Sequence, residues 1–139
     1  MINEFRGKYY FLSNFYSAPV EYEGITYQNN EAAFQSAKVI NYDNRFKFAN
    51  LDPSKAKKLG RRVQLRHGWD KVKFDVMYDV VKAKFSQNKK LKQRLLNTGD
   101  KHLEEGNTWG DKIWGTVNGE GQNHLGKILM KVRDELKGE

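Results

Sequence analysis

Hydrophobic residues in the first thirty positions form short runs that are typical of β-strands. Residues 9–12 are a β-prone run of Tyr, Phe and Leu. Residues 20–22 and 25–27 are two more short runs, and Glu23-Gly24 between them is a turn signal. This pattern predicts a strand at residues 9–12 and a short antiparallel hairpin at residues 20–27.

Two further positions carry the signature of a helix start. Asn29 or Asn30 can cap a helix, because a side-chain oxygen at that position accepts a hydrogen bond from a backbone N–H that has no partner within the helix. Asp52 followed by Pro53 combines a capping residue with the residue favoured at the first helical position. We therefore predict helices that begin near residues 30 and 53.

The remaining helices are indicated by apolar side chains at helical spacing. We predict a helix over residues 70–85, a shorter one over 89–96, and a last one from about Asn123. Six glycines between residues 97 and 122 indicate a loop region. The apolar stripes of the two long helices are Val72, Val76, Met77, Val80, Val81 and Phe85, and Leu125, Ile128, Leu129, Val132 and Leu136.

These elements predict an α+β fold that is mostly helical, with a small antiparallel sheet near the N-terminus. The 139 residues suffice for one domain with a substantial core, so we expect residues 1–139 to form a single domain. The chain has no cysteine, no apolar leader at its start and no apolar run of the length a membrane-spanning helix needs. We expect a cytoplasmic protein that does not enter a membrane.

The formal net charge of +8 favours anionic partners such as nucleic acid, nucleotides or phosphorylated metabolites. Clusters of lysine are nevertheless more often solvated surfaces than binding sites. The densest groups of basic residues are Lys55, Lys57, Lys58, Arg61 and Arg62, and Lys82, Lys84, Lys89, Lys90 and Lys92.

Three polar side chains on the first predicted helix are candidates for chemistry. Glu31, Gln35 and Lys38 are spaced so that they share one helix face. A carboxylate and an amine on one face could act as a general acid or base and as a nucleophile. The alternative is a surface helix whose polar stripe faces water.

Two glycine-rich segments are further candidates. Residues 106–115 contain Trp109, Asp111 and Trp114. The tryptophan rings could stack on a base, and the Asp111 carboxylate could bind ribose hydroxyls. The alternative is that the tryptophans only cover the core. Residues 118–126 lead into the last helix and could present backbone N–H groups to a phosphate, or could be a simple turn. The three histidines match no metal-ligand spacing, so no metal site is predicted.

An ordered set of motifs along nearly the whole chain resembles one family, the YbiA-like proteins, also called NADAR for their association with NAD and ADP-ribose. The motifs are FLSNFY (11–16), NEAAFQSAK (30–38), LGRRV (59–63), GW (68–69), AKFSQ (83–87), residues 111–115, and GQNHLG (121–126) followed by ILMKVRDEL (128–136).

This resemblance implies an N-glycosidase that cleaves a bond between ribose C1 and a nitrogen without a cofactor. Members act on ADP-ribose attached to guanine bases of nucleic acid, or on phosphoribosylamino-pyrimidine intermediates of riboflavin synthesis. We expect the first class, because no companion domain of the riboflavin pathway accompanies the motifs. A binding module without catalysis is the rival hypothesis. The resemblance leaves open a toxin–antitoxin or phage-defence context and the oligomeric state.

The resemblance also implies a set of site residues. It makes Glu31 the acid or base, and it adds Lys38 and Asp111 as catalytic candidates. The side chains implied to bind substrate are Ser13, Asn14, Phe15, Gln35, Gly60, Arg61, Trp69, Trp114, Gly115 and Asn123. Ala32 and Ala33 depart from the family, in which many members have His and an aromatic residue, so the lining beside Glu31 differs here.

Overall fold

A computed structural model describes all 139 residues of the chain. It contains six α-helices, two β-strands and two 3₁₀ helices. Residues 14–87 form one compact unit, and residues 1–13 together with 88–139 form a second. The mostly helical content with one two-stranded antiparallel sheet confirms the predicted α+β class. The assignment of residues 1–139 to a single domain stays a prediction.

The sheet is the hairpin that the sequence predicts. Strand β1 (Ser17–Tyr22) pairs antiparallel with β2 (Ile25–Asn29), and Tyr22 lies opposite Ile25. Glu23 and Gly24 between them have φ values of 50° and 85°, so both central residues of the turn are left-handed. Two-residue turns of this kind match the twist of the strands that they connect.

The predicted strand at residues 9–12 is wrong, because Gly7–Leu12 forms a 3₁₀ helix. Phe11 and Leu12 are neighbours in sequence and both are buried, whereas successive residues of a strand point to opposite faces. The 3₁₀ helix allows the side chains of both Phe11 and Leu12 to enter the core.

The unit of residues 14–87 holds most of the helices: α1 (Asn30–Ser36), α2 (Tyr42–Arg45), α3 (Pro53–Gly60) and α4 (Trp69–Gln87). A 3₁₀ helix, Phe46–Phe48, follows α2. Helix α1 packs against α3, α4 and both strands. The sequence pattern did not predict α2 or the 3₁₀ helix, which are too short to show helical periodicity.

Both predicted helix starts are confirmed. The Asn29 side chain accepts a hydrogen bond from the Ala32 N–H at 2.8 Å and so caps α1. The Asp52 side chain accepts one from the Lys55 N–H at 2.8 Å and caps α3, with Pro53 in its first turn. Each cap satisfies a backbone donor that the helix itself leaves without a partner.

Helix α4 buries the predicted apolar stripe except for Val72, which is half-buried. It also buries Lys84, which is only 2% exposed. The expectation that Lys84 belongs to a basic surface is therefore wrong. Its Nζ lies 5.5 Å from the centre of the Tyr16 ring, and burial lowers the pKa of its amine to about 7.

The stability of the chain should consequently rise with pH in a way that depends on Lys84. Between about pH 7 and pH 10.5 the unfolded chain holds a proton on this amine that the folded chain lacks, so a rise in pH favours the folded state. We expect the free energy of unfolding to increase by about 2 kcal/mol from pH 7 to pH 9 through this group. Urea unfolding at the two pH values measures the increase, which Lys84→Met should lose. An equal rise in both proteins would contradict this assignment.

The unit of residues 1–13 and 88–139 contains α5 (Lys89–Leu96) and α6 (His124–Lys137), as predicted. Four of the five predicted apolar positions of α6 are buried, and Ile128 is half-buried. Most of residues 97–122 is loop, pinned by isolated bridges such as that between Ile2 and Leu103. None of the helices combines the length and apolar character that crossing a bilayer requires.

Candidate active site

Helix α1 is buried over its whole length, although four of its seven residues are polar. Glu31 is 8% exposed and Gln35 is 5% exposed. The alternative of a surface helix with a solvated polar stripe is therefore excluded. Polar side chains are rarely buried without partners, so the contacts of this helix are informative about function.

Glu31 and Gln35 form a hydrogen-bonded pair one helical turn apart. The Gln35 Nε2 donates to Glu31 Oε2 at 2.7 Å, and the Glu31 N–H donates to the Asn14 carbonyl oxygen at 3.0 Å. The first bond fixes the rotamer of the carboxyl group, and the second fixes the start of the helix. Glu31 is thus held in one orientation inside the unit, as a proton-transfer group must be.

The Gln35 amide in turn lies against Gly60 at the end of α3. A Cβ atom at position 60 would stand 1.9 Å from Gln35 Oε1, so only glycine permits this approach of α3 to α1. Gln35 Oε1 is buried and accepts no hydrogen bond. The structure therefore brings together three predicted site residues, Glu31, Gln35 and Gly60.

Gly60→Ala should disturb the Glu31 carboxyl through Gln35. The added methyl group would displace the Gln35 side chain and break its bond to Glu31, so we expect activity to fall by about tenfold or more while the fold persists, since overpacking costs about 1–3 kcal/mol. Steady-state kinetics and thermal unfolding measure the two effects. Gly119→Ala is the control, because its left-handed φ of 82° strains alanine but nothing lies near the added carbon. Equal activity in the two variants would contradict the coupling.

Lys38 follows α1 rather than lying on it, because the helix ends at Ser36. The predicted helical face therefore includes Glu31 and Gln35 but not Lys38. Its Nζ lies 3.5 Å from the Gly60 carbonyl oxygen, and its N–H donates to the Gln35 carbonyl oxygen at 3.1 Å. The turn therefore returns the amine to the junction of α1 and α3, where Glu31 and Gln35 lie.

The surroundings of Lys38 shift the pKa of its amine. Its pKa is lowered from the usual value, chiefly because burial disfavours the charged form. The Glu31 carboxylate opposes this shift, whereas the positive charges of Arg61, Lys57 and Lys73 reinforce it. A lowered pKa is what a lysine needs to act as a nucleophile near neutral pH.

Lys57, Lys73 and Arg66 belong to this site, although sequence analysis assigned them no role in it. The Arg66 N–H donates to the Lys38 carbonyl oxygen at 2.7 Å, and its Nη1 donates to the Ala37 carbonyl oxygen at 3.4 Å. These bonds hold the turn that carries Lys38. No local signal in the sequence indicates contacts between residues so far apart along the chain.

The predicted Ser-Asn-Phe segment is divided between the two units. Asn14 is buried beside α1, where the Asn30 side-chain amide donates to Asn14 Oδ1 at 3.4 Å. The Phe15 ring lies 5.9 Å from the Lys57 amine. Ser13 ends the 3₁₀ helix of the other unit, with its N–H bonded to the Tyr10 carbonyl oxygen.

Trp69, the first residue of α4, packs behind α1. Its ring centre lies 5.3 Å from that of Phe34, at a tilt of 53°, and it is 6% exposed. This contact supports the position of α1. A direct contact between Trp69 and substrate stays a prediction.

The loop with the other predicted catalytic residue lies in the second unit. Asp111 Oδ1 accepts hydrogen bonds from the Ile113 N–H at 3.0 Å and the Trp114 N–H at 2.9 Å. The Asn107 side-chain amide bonds both backbone groups of Asp111. These bonds show that Asp111 shapes the loop and orients Trp114, while its catalytic role stays a prediction.

Gly115 and Asn123 have evident structural tasks in that loop. A Cβ at position 115 would stand 2.1 Å from the Glu105 carbonyl oxygen. The Asn123 side chain accepts from the Glu105 N–H at 3.1 Å and donates to the Leu103 carbonyl oxygen at 3.0 Å. Both ends of this amide are thus bound to backbone, and substrate binding by either residue stays a prediction.

Trp114→Ala should weaken substrate binding more than Trp109→Ala. Trp114 is half-buried against His124, with ring centres 6.3 Å apart, whereas Trp109 is 58% exposed. Stacking of a base on an aromatic ring contributes about 1–3 kcal/mol, so the dissociation constant should rise by about 5- to 150-fold. Substrate titration of both variants measures the difference. If both variants merely melted at lower temperature, the rings would only cover the core.

No group of three or more His, Asp or Glu side chains is close enough together to hold a metal ion.

Comparison with known proteins places this arrangement in a family. The model of the NADAR domain matches residues 3–137. The riboflavin biosynthesis protein VVA0006 of Vibrio vulnificus is 37% identical over 131 residues, which are 91% of this chain but 35% of that protein. The chain thus spans about a third of that relative's length.

Two YbiA proteins match over most of their lengths. The N-glycosidase YbiA of Shigella flexneri serotype 5b is 36% identical over 129 residues, 90% of this chain and 80% of that protein. The NMR structure of Escherichia coli YbiA superposes with a TM-score of 0.84 at 32% identity, covering 99% of this chain and 87% of that one. The names of these relatives support a hydrolase that acts on N-glycosyl bonds. The chain therefore belongs to the NADAR family of YbiA-like proteins.

Proposed function

We propose that this chain is an N-glycosidase that hydrolyses the bond between a ribose C1 and a nitrogen, and that it removes ADP-ribose from guanine bases of nucleic acid. The observation that carries the proposal is the buried Glu31–Gln35 pair at the same α1–α3 junction as a lysine of lowered pKa. A merely structural helix of this length has no need of a buried carboxyl group and an amine in one place.

Glu31 is the group that handles the proton. Cleavage of a ribosyl C–N bond develops positive charge at C1 and negative charge on the departing base. A proton delivered to the base makes it a better leaving group, and the resulting carboxylate stabilises the charge at C1. The bond that Gln35 donates to Oε2 holds the carboxyl group in one orientation for this transfer.

Lys38 offers a covalent route. Its neutral amine attacks C1 as the C1–N bond to the base breaks and the base takes a proton. The new amine nitrogen loses a proton, the C1–O4 bond breaks and the ring oxygen takes a proton, which gives an imine. Water then hydrolyses the imine, which releases the ribose compound, ADP-ribose for the first substrate class, and restores the lysine amine. The alternative is direct attack of water on C1 with Glu31 as the base. Only the first route passes through a covalent adduct.

The cations around Lys38 suit a phosphorylated ribose. Arg61 and Lys57 both act on Lys38 through their charge, and both are carried by the last turn of α3 and the residue after it. They can bind the phosphate attached to the ribose, and in its absence their charge adds to the lowering of the Lys38 pKa that burial causes. This feature suits either substrate class.

A second candidate substrate is the phosphoribosylamino-pyrimidine intermediate of riboflavin synthesis. It is favoured by the similarity to the Vibrio vulnificus protein, whose name places it in riboflavin biosynthesis. This substrate would need only one phosphate-binding group, and its ribosylamine would open readily to the imine.

Incubation with each substrate separates these hypotheses. The chain is mixed with an ADP-ribosylated DNA oligonucleotide and, separately, with the pyrimidine intermediate, and released ribose species are identified by mass spectrometry. We expect release of ADP-ribose and an unmodified guanine. Release from the pyrimidine alone would select the second candidate. Binding without release from either substrate, unchanged by Glu31→Gln, would identify a binding module instead.

A further inference from the structure

We propose that a basic surface on α5 and the N-terminal 3₁₀ helix, Gly7–Leu12, binds the phosphate backbone of single-stranded nucleic acid. The α5 surface is defined by Arg6, Lys8, Lys89, Lys90, Lys92 and Arg94. This proposal depends on the proposed function in one respect: the bound strand is taken to be the strand that carries the modified base.

The two segments that form the α5 surface contain no acidic residue. Residues 5–13 and 88–99 lie in the same compact unit and have six Lys and Arg but no Asp or Glu. Lys89 and Lys90 are exposed on the first turn of α5, and neither has a carboxylate partner. Positive charge without internal neutralisation is what a polyanion binds.

Arg94 joins the two segments into one surface. Its Nη2 donates to the Lys8 carbonyl oxygen at 2.9 Å, and its guanidinium lies 4.2 Å from the centre of the Phe11 ring. Leu91 and Leu95, which are buried, hold the opposite face of α5 in the core. The exposed lysines of α5 and the side chains of the 3₁₀ helix are therefore in fixed proximity.

Aromatic side chains beside these cations favour a single strand over a duplex. The Lys8 amine lies 5.1 Å from the centre of the Tyr9 ring, and Tyr10 is 42% exposed. Unpaired bases can stack on exposed rings, whereas paired bases cannot. Lysine side chains beside tyrosine rings are thus suited to a strand whose phosphates and bases are both accessible.

The test uses the full chain and fluorescein-labelled, unmodified single-stranded oligonucleotides, in DNA and RNA versions. Each lysine–phosphate contact contributes about 0.7 to the slope of log K against log salt. The triple variant Lys89→Ala/Lys90→Ala/Lys92→Ala should therefore lower this slope by about 2 and weaken binding about 100-fold at 0.1 M salt. Fluorescence anisotropy across a salt series measures the affinity and its salt dependence for the DNA and the RNA oligonucleotide.

The matched control removes three exposed lysines from another helix of the same unit, in the variant Lys127→Ala/Lys131→Ala/Lys137→Ala. Its binding should stay close to that of the unaltered chain. Equal losses in the two triple variants, or no loss in the α5 variant, would overturn the proposal. So would competition by polyglutamate as effective as that by the oligonucleotide, or binding of a duplex as tight as that of the single strand.

A second measurement keeps this proposal separate from the proposed function. The α5 variant should cleave ADP-ribosylated guanosine nucleoside, which has no flanking phosphates, at the unaltered rate and lose activity only on the modified oligonucleotide. Loss of nucleoside cleavage would mean that the substitutions damage the site and would overturn the assignment. A chain that binds oligonucleotides through α5 but cleaves no substrate would refute the proposed function alone.

Discussion

Glu31→Gln is expected to lower turnover by about 10²–10⁴-fold and to leave the fold intact. Loss of a proton-transfer group accounts for the rate. The fold survives because glutamine keeps the oxygen that accepts the hydrogen bond from Gln35, and the Glu31 N–H still bonds the Asn14 carbonyl oxygen. The loss of a charged group near the start of α1 costs only about 0.3–1 kcal/mol. Single-turnover kinetics and thermal unfolding measure the two quantities.

Glu21→Gln is the matched control for this variant. Glu21 lies on β1 with an exposed side chain, so the same substitution there changes the net charge equally but touches no part of the α1–α3 junction. It should turn over normally. A folded Glu31→Gln variant with the activity of the Glu21→Gln variant would remove Glu31 from the mechanism.

Lys38→Arg is expected to abolish both activity and covalent trapping if the chemistry passes through an imine. Arginine retains the positive charge but stays protonated at all accessible pH values and cannot form the imine. Borohydride added during turnover should reduce the imine of the unaltered chain to a stable amine. Peptide mass spectrometry should then find the ribose-containing mass on the peptide that holds Lys38.

Lys58→Arg provides the comparison, because Lys58 is exposed on α3 close to the site and should not be trapped. The pH dependence gives an independent readout. Since burial lowers the pKa of Lys38, the rate of the unaltered chain should rise with pH and level off below the usual lysine value of 10.5. Normal turnover by Lys38→Arg would leave direct attack of water, with Lys38 holding only a phosphate or Glu31.

Local signals in the sequence suffice for much of this fold. Gly24 predicts the turn of the hairpin because glycine adopts the left-handed conformation without strain. Asp52 and Asn29 predict helix starts because each satisfies a nearby backbone N–H. In each case the interacting groups lie within four residues of one another.

Features that depend on distant residues could not be predicted in the same way. The 3₁₀ helix at Gly7–Leu12 has the composition of a strand, and its burial of two adjacent side chains decides its conformation. Lys84 appears in the sequence as one of several basic residues, yet it is among the most deeply buried. Neither outcome is encoded in neighbouring residues.

The candidate site likewise combines features that neighbouring residues determine with features that distant residues determine. Spacing alone placed Glu31 and Gln35 together, but it could not distinguish a buried face from a solvated one. Burial arises from Gly60 and Trp69, which bring α3 and α4 against α1. The lowered pKa of Lys38 likewise depends on burial by the packed elements and, to a smaller extent, on the distant cations Arg61, Lys57 and Lys73.

Because α1 is short, a ligand that binds at the α1–α3 junction should stabilise the folded chain. A helix of seven residues is not stable by itself, so the site exists only while α3 and α4 pack against it. Any molecule that binds at this junction therefore binds the folded chain and not the unfolded one. At a concentration of one hundred times its dissociation constant it would stabilise the chain by about 2.7 kcal/mol. A rise in melting temperature across a panel of ribosylated compounds would reveal ligands of the site without any assay of turnover.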